Sequence, residues 1–483
     1  MAEGSVFSAA YFQKRRVILD WEGGEPCLYF TEHTPEEVLE EVRFLLQRPV
    51  RFCKISPEEF SERLGRLLSE GSEVSLSEEG GEGERQRTLD LLHQYSEAPV
   101  VNLINLALIR ASRAGASDIH FDPGEKEALI RLRLDGVLHE YRRFPMQLYP
   151  QVVARIKVMA NLNVAEKLVP QDGRMRIRIG ERELDIRVSV LPTIFGERVV
   201  LRLLEQSNRL LTLGELGLSE EDYHKLERLA RKPYGLVLAT GPTGAGKSTT
   251  LYAMLLLVRE LYPYKNIITI EDPVEYQING IGQVQVNPKV GLTFATGLRS
   301  ILRQDPDVIL VGEIRDTETA EIAVHAALTG HLVLSTLHTN DAPTAITRLV
   351  DMGIEPYLIA SSLEGVIAQR LVRRICPHCR EPYPPAPEEL KALGLPENSE
   401  VEFYRGRGCE ECLGTGYRGR IGIFEVLELD EKLKNLILTT PNATEIRNEA
   451  LKRNFKTLRQ DALEKVLAGL TTSSELLAVT EKE

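Results

Sequence analysis

Leu236-Val237-Leu238-Ala239 runs into Gly241-Pro242-Thr243-Gly244-Ala245-Gly246-Lys247-Ser248, and this junction decides the fold. The first four residues form an apolar run of buried-strand length. The next eight fit the spacing Gly-x-x-x-x-Gly-Lys-Ser, and a helix is expected from about Lys247 to Leu261. Strand, glycine-rich loop and helix in that order make a phosphate cradle. The glycines let the backbone curl so that successive N–H groups point inward at anionic oxygens. The start of the helix adds positive potential. Lys247 is placed to reach the β- and γ-phosphates of ATP, the Ser248 hydroxyl to hold Mg²⁺, and Thr249 follows in the same first turn.

Working outward, strands and helices alternate over 207–370: Leu236–Ala239, a helix to about residue 262, Ile267–Ile270, Val308–Val311, a helix over 317–328, and Leu332–Ser335. That alternation predicts an α/β domain whose parallel sheet is covered by helices on both faces. Ligands of such sheets sit beyond the carboxyl ends of the strands. Two acidic clusters fall there. Glu271-Asp272-Pro273-Val274-Glu275 follows Ile270, and Gly312-Glu313-Ile314-Arg315-Asp316 follows Val311. Glu313 is expected as the base or water-orienting group, with Glu271 supporting Mg²⁺ or the nucleophile. General P-loop ATPases carry an Asp where this chain has Gly312, which shifts the metal-anchoring task toward the Glu271 cluster. Asp316, just before a helix, is equally a helix cap. His331 and His338 flank the strand at Leu332 and are expected to sense the γ-phosphate.

Upstream, residues 98–206 form a different pattern. Leu129–Leu134 alternates apolar residues with Arg131 and Arg133, turns at Asp135-Gly136 and returns along Val137–Tyr141, which is a hairpin signal. A second hairpin runs from Met175 through Gly180-Glu181 to Val190. An α+β (PAS-like) domain with an arginine-rich sheet face is expected. Residues 1–70 read as a small docking module, with strands at Val17–Leu19 and Cys27–Phe30 and helices over Pro35–Leu46 and Pro57–Leu68. Residues 71–97 read as a linker, because the Gly-, Ser- and Glu-rich stretch 71–87 cannot bury enough apolar surface to order itself.

Downstream, Cys376-Pro377-His378-Cys379 and Cys409-Glu410-Glu411-Cys412 have the two-and-two spacing of a four-thiolate zinc site, within an insertion over 371–425. Four thiolates leave no open coordination position, so the site reads as structural; a redox dithiol is the alternative. Residues 426–483 are expected to be helical.

Bulk properties narrow the class. No apolar run approaches the ~20 residues that span a bilayer, and the first sixteen residues lack the apolar core of a signal peptide. A cytoplasmic location, with membrane contact through a partner, is expected. The net charge of −12 and the 6% aromatic content oppose nucleic-acid binding, which uses many basic contacts and stacking rings. A nucleic-acid translocase with a zinc ribbon is the rival reading, and stimulation of turnover by DNA or RNA separates the two. A nucleotide switch with negligible turnover is the third; it predicts that replacing Glu313 leaves hydrolysis unchanged.

Taken jointly, the phosphate loop, Ile270–Glu275, Gly312–Asp316 and Leu328-Thr329-Gly330-His331…Thr336-Leu337-His338-Thr339 resemble the type II/type IV secretion ATPase superfamily. The resemblance covers about residues 98–483, and within that family glycine does precede the glutamate. The cysteine pairs and the short N-terminal module point to the secretion and pilus-assembly branch, with the type II secretion members nearest and the pilus extension members next. The resemblance implies a RecA-like ATPase core in a homohexamer. It implies that Arg187 and Arg202, on the domain before the core, reach the nucleotide, with Arg174 and Arg198 weaker candidates. It further implies that residues 1–70 bind a cytoplasmic segment of an inner-membrane platform protein, giving a peripheral location on the inner membrane.

Overall fold

In the computed structural model of the chain the described residues are 17–22, 25–32, 34, 38–39, 51–56, 59–60, 63, 89–90, 99–179, 182–205, 210–453 and 455–480. Most of the two N-terminal helices, the 71–87 stretch and the Gly180-Glu181 turn lie outside them. The chain divides into two compact units, Met1–Gln94 with Arg176–Arg182, and Tyr95–Met175 with Glu183–Glu483. No helix among the described residues is long and apolar enough to cross a membrane.

The first unit holds a three-stranded sheet. Strand β1 (Val17–Glu22) pairs antiparallel with β2 (Glu25–Phe30), and β3 (Arg51–Lys54) lies parallel to β2. Val17, Ile18, Cys27 and Leu28 are buried together with Val38 and Phe60. A short strand, β4 (Leu89–Asp90), sets Leu89 opposite Ile177.

The second unit opens with helix α1 (Pro99–Arg113) and then the strands β5 (Asp118–Asp122), β6 (Glu127–Leu134) and β7 (Val137–Pro145). Helix α2 (Tyr149–Met159) follows, then β8 (Gln171–Ile179), β9 (Arg182–Thr193) and β10 (Gly196–Glu205). The sheet order is β8-β9-β10-β5-β6-β7. In β6 the side chains of Ala128, Ile130, Leu132 and Leu134 are buried while those between them are not, which is the period-two signal at work. Asp135 and Gly136 turn the hairpin with φ of 48° and 90°, the conformation that favours Asp-Gly in two-residue loops. Among the polar groups buried in this domain are Tyr149 and Lys157, and both are partnered. Tyr149 Oη lies 2.8 and 2.7 Å from the Phe121 and Glu197 carbonyl oxygens, and Lys157 Nζ sits 2.5 Å from Glu197 Oε1.

The remainder is built on a second sheet. Helix α3 (Glu220–Ala230) leads into β11 (Gly235–Thr240), α4 (Lys247–Leu261), β12 (Ile267–Glu271) and β13 (Gly282–Gln285). Then come α5 (Phe294–Ile301), β14 (Val308–Val311), α6 (Thr317–Leu328) and β15 (Leu332–Leu337). Helices α7 (Ala342–Asp351) and α8 (Pro356–Ser362) precede the long strand β16 (Leu363–Ile375). The cysteine insertion carries β17 (Arg380–Tyr383), α9 (Pro387–Leu393) and β18 (Phe403–Gly406), and ends at β19 (Tyr417–Glu428). Helices α10 (Glu431–Thr439), α11 (Ala443–Leu451), α12 (Leu458–Leu467) and α13 (Ser473–Thr480) close the chain.

The sheet order is β13-β12-β14-β15-β11-β16-β19, with every pairing parallel except β16 with β19. The core sheet therefore runs past residue 370, and the cysteine insertion is slung between two of its strands. Strand β11 shows why the sheet is buried on both sides. Leu236 and Leu238 join one apolar cluster with Leu298, Val324 and Ile346. Val237 and Ala239 join the other with Leu226, Leu251 and Met254. Each buried leucine or valine side chain contributes about 1.5–3 kcal/mol, so β11 is pinned from both faces and its exit to the loop is fixed.

Candidate active site

The chain leaves β11 at Thr240, whose Oγ1 accepts the Thr339 N–H at 2.8 Å and ties the ends of β11 and β15 together. Gly241, Gly244 and Gly246 then adopt φ of 148°, 80° and 88°. Crowding adds to the requirement at two of them. A Cβ on Gly241 would lie 2.5 Å from the Gln369 carbonyl oxygen, and one on Gly246 would lie 2.7 Å from Gln369 Nε2. Gln369 is itself held by Thr250 Oγ1, which donates to its Oε1 at 2.7 Å. The loop is thus moulded over a buried glutamine on β16, a contact no local pattern announces.

Lys247 folds back on the loop, its Nζ donating to the carbonyl oxygens of Gly241 at 2.6 Å and Pro242 at 3.1 Å. Burial lowers its pKa to about 8, against the opposing pull of Glu313, while Arg370 pushes the same way as burial. The loop borders a cleft of about 410 Å³. Thr243–Thr249 line one side; Glu271, Asp272, Glu275, Glu313 and His338 line the other. Both acidic clusters read from the sequence are therefore brought opposite the phosphate loop.

Glu271 ends β12 and is 5% exposed. Thr269 Oγ1 donates to its Oε1 at 2.5 Å and Gln283 Nε2 to the same oxygen at 3.3 Å, while the Tyr252 hydroxyl donates to Oε2. Glu313 follows β14. Its Oε1 lies 2.5 Å from Arg315 Nη2 and its Oε2 lies 3.5 Å from His338 Nε2. Gly312 has a packing reason: a Cβ there would lie 3.2 Å from the Ile270 carbonyl oxygen and 3.3 Å from Glu271 Cα. Asp316 is a helix cap, its Oδ1 accepting the Thr319 N–H at 2.7 Å.

Three expected residues lie elsewhere. Strand β15 runs parallel to β11 with Leu332 opposite Gly235, so His331, at its start, is at the sheet end away from the loop. Its Nδ1 donates to the Ala326 carbonyl at 2.9 Å, a cap on the last turn of α6, and it does not join His338 at the cleft. Arg187 and Arg202 face each other across β9 and β10. With Arg174 they line a separate cavity of about 470 Å³. Arg187 Nε is buried without a hydrogen-bond partner among the described residues, and Arg202 Nε lies 3.0 Å from Asp118 Oδ1. Arg198 is paired with Asp122 at 2.8 Å.

Sequence reading missed Tyr252, Gln283, Gln369 and Arg420. Arg420 on β19 lines the cleft, beside Gly419, whose N–H donates to Asp135 Oδ2 at 2.9 Å. Tyr252 and Arg420 line the cleft, while Gln283 and Gln369 act one shell behind it, on Glu271 and on the loop glycines.

The four Sγ atoms of Cys376, Cys379, Cys409 and Cys412 lie within 4.8 Å of one another. The separations are 3.8 Å for Cys376 to Cys409, 3.8 Å for Cys379 to Cys412 and 3.7 Å for Cys409 to Cys412. A tetrahedron of sulfurs about 2.3 Å from a central ion has edges of about 3.8 Å. These distances suit a metal and are far beyond the ~2 Å of a disulfide. His378 is exposed and outside the cluster. Backbone approaches sulfur at Gly416, whose N–H donates to Cys412 Sγ at 3.2 Å. Gly406 instead permits backbone to meet backbone, since its Cβ would lie 2.0 Å from the Gly416 carbonyl oxygen.

A parallel sheet that delivers a glycine-rich loop, a lysine and two carboxylates to one cleft places the chain among the P-loop ATPases with a RecA-like core. The relatives narrow that class. A family model described as "Type II/IV secretion system protein" matches residues 93–478, and a model of an N-terminal domain of "GSPII protein E" matches residues 10–67. The chain belongs to the type II/IV secretion system protein family. It is 50% identical over 460 residues to the type II secretion system protein E of Dickeya dadantii, covering 93% of this chain and 91% of that one. It is 44% identical over 495 residues to the type II secretion system ATPase E of Vibrio cholerae, covering 98% and 96%. The solved structure of the ATPase DotB of Legionella pneumophila matches with a TM-score of 0.60 at 22% identity, over 82% of this chain and all of that one; that likeness is one of fold.

Proposed function

We propose that this chain hydrolyses ATP with Mg²⁺ to drive type II protein secretion across a bacterial envelope. The observation that carries the reading is the shared cleft, in which the Lys247 loop faces Glu271 and Glu313. The N-terminal match to a secretion protein E domain favours the secretion branch over pilus assembly.

In this reading the loop amides, Lys247 and the start of α4 bind the triphosphate. The Ser248 hydroxyl would hold Mg²⁺, with Thr249 beside it and Glu271 as outer support; the ion would supply neutralisation of the triphosphate's charge. Glu313 orients the attacking water and takes its proton as the water oxygen bonds to the γ-phosphorus and the bridging oxygen leaves with ADP. Arg315 holds one oxygen of that carboxylate, so the edge toward His338 is the one left to the water. Arg187 and Arg202, remote from the cleft of their own chain, act on the nucleotide of an adjacent copy in a homohexamer, where they stabilise charge developing on the γ-phosphoryl oxygens. The four cysteines hold zinc as a structural ion. Residues 1–70 dock on a cytoplasmic segment of an inner-membrane platform protein, which gives a cytoplasmic, peripheral location. Nucleic acid has no part in the cycle.

The test is complementation in a strain lacking its type II secretion ATPase. The wild-type chain restores secretion and Lys247→Ala does not. Restoration by Lys247→Ala, or rescue of a pilus-assembly defect in place of secretion, overturns the proposal.

A further inference from the structure

Glu271 is held by groups from three elements. Thr269 comes from its own strand, Gln283 from β13 and Tyr252 from α4. Gln283 is fixed in turn, donating to the Tyr276 carbonyl at 2.9 Å and accepting the Ile278 N–H at 2.7 Å. Tyr252 is 1% exposed and packs edge-on against Tyr276 with ring centroids 5.8 Å apart. Its hydroxyl serves the one carboxylate oxygen that Thr269 and Gln283 do not reach.

The place of Tyr252 in the sequence gives this bond its meaning. It lies five residues after Lys247 and four after Ser248, on the helix whose first turn begins the phosphate site. The helix is rigid over that distance, so a shift of its start on meeting phosphate moves the Tyr252 hydroxyl with it. A carboxylate fixed by donors on separate elements keeps one orientation only while those elements keep their spacing.

We infer that Tyr252 is a positioning residue for hydrolysis: it couples the phosphate-loop helix to Glu271 and sets that carboxylate against the cleft. The inference rests on the assignment of Glu271 to the reaction. It adds a residue that acts through the carboxylate.

The test is a double-mutant cycle in the full chain, reading kcat and KM for ATP·Mg²⁺ with Tyr252→Phe, Glu271→Gln and the pair. A hydrogen bond to a charged group is typically worth ~1.5–3 kcal/mol, so Tyr252→Phe is expected to lower kcat about tenfold or more, with KM changed less than about twofold. In the Glu271→Gln background the same change costs almost nothing further, because its target is already altered. Thr269→Val repeats the cycle from the other oxygen and serves if Tyr252→Phe does not fold. An equal loss in both backgrounds, or no loss in either, overturns the inference while leaving Glu271 in place. Wild-type turnover by Glu271→Gln alone removes the assignment of Glu271 itself.

Discussion

Lys247 sits where its charge is costly in the free protein, because burial lowers its pKa to about 8 from the usual 10.5. The sign follows from linkage. The folded protein binds this proton less tightly than the unfolded chain does, so the destabilising effect is full below pH 8 and fades as pH rises from 8 toward 10.5. Triphosphate reverses the preference by favouring the ammonium. Affinity for ATP·Mg²⁺ should therefore fall as pH rises through about 8, with proton uptake on binding above that pH. Calorimetric titration in buffers of different ionisation enthalpy measures that uptake directly; pH-independent affinity between 7 and 9 would rule it out. Gly312 makes a second prediction at this scale. General P-loop logic suggests that an Asp there would strengthen metal binding. The 3.2 and 3.3 Å approaches to Ile270 O and Glu271 Cα say otherwise. Gly312→Asp should destabilise the fold by about 1–3 kcal/mol, as overpacking does, and lower turnover without tightening the Mg²⁺ requirement. Thermal melts and a Mg²⁺ titration of activity check both.

At the scale of elements, legibility followed the range of the interaction. The period-two burial of β6 and the Asp135-Gly136 turn are local and were readable residue by residue. So was the passage from β11 through the loop into α4, because backbone geometry there dictates glycine. What escaped was set by pairing distant in sequence. Gln369 under the loop, the Tyr252 bond to Glu271 and the return of β19 to the core sheet carry no periodicity of their own. His331 misled for a related reason: two histidines flank one strand, but a strand has two ends and only the carboxyl end faces the cleft. The cysteine insertion yields a prediction of its own. It is slung between β16 and β19, which pair from Gly365–Glu428 to Ile375–Tyr417, so a metal held by its four cysteines should govern the insertion and spare the core. Removing the metal with a chelator, or Cys409→Ser with Cys412→Ser, should abolish amide-exchange protection over 376–417 and leave that of 235–271 unchanged. Loss of protection in both regions would show that the cluster supports the whole fold.

At the scale of the molecule, the second unit carries a complete phosphate loop and both carboxylates but keeps the paired arginines of β9 and β10 out of that cleft. The cavity bearing Arg187, whose Nε is buried without a hydrogen-bond partner among the described residues, is separate from that cleft. In the proposed function the loop at Lys247 binds the triphosphate and Glu313 turns it over within that one cleft. The most direct measurement compares Glu313→Gln with the wild-type chain for ATP·Mg²⁺ affinity and for steady-state hydrolysis in the same preparation. Affinity should stay within about twofold while turnover falls about a hundredfold or more, the usual cost of losing a group that acts only in the transition state. Wild-type turnover by Glu313→Gln would contradict the account.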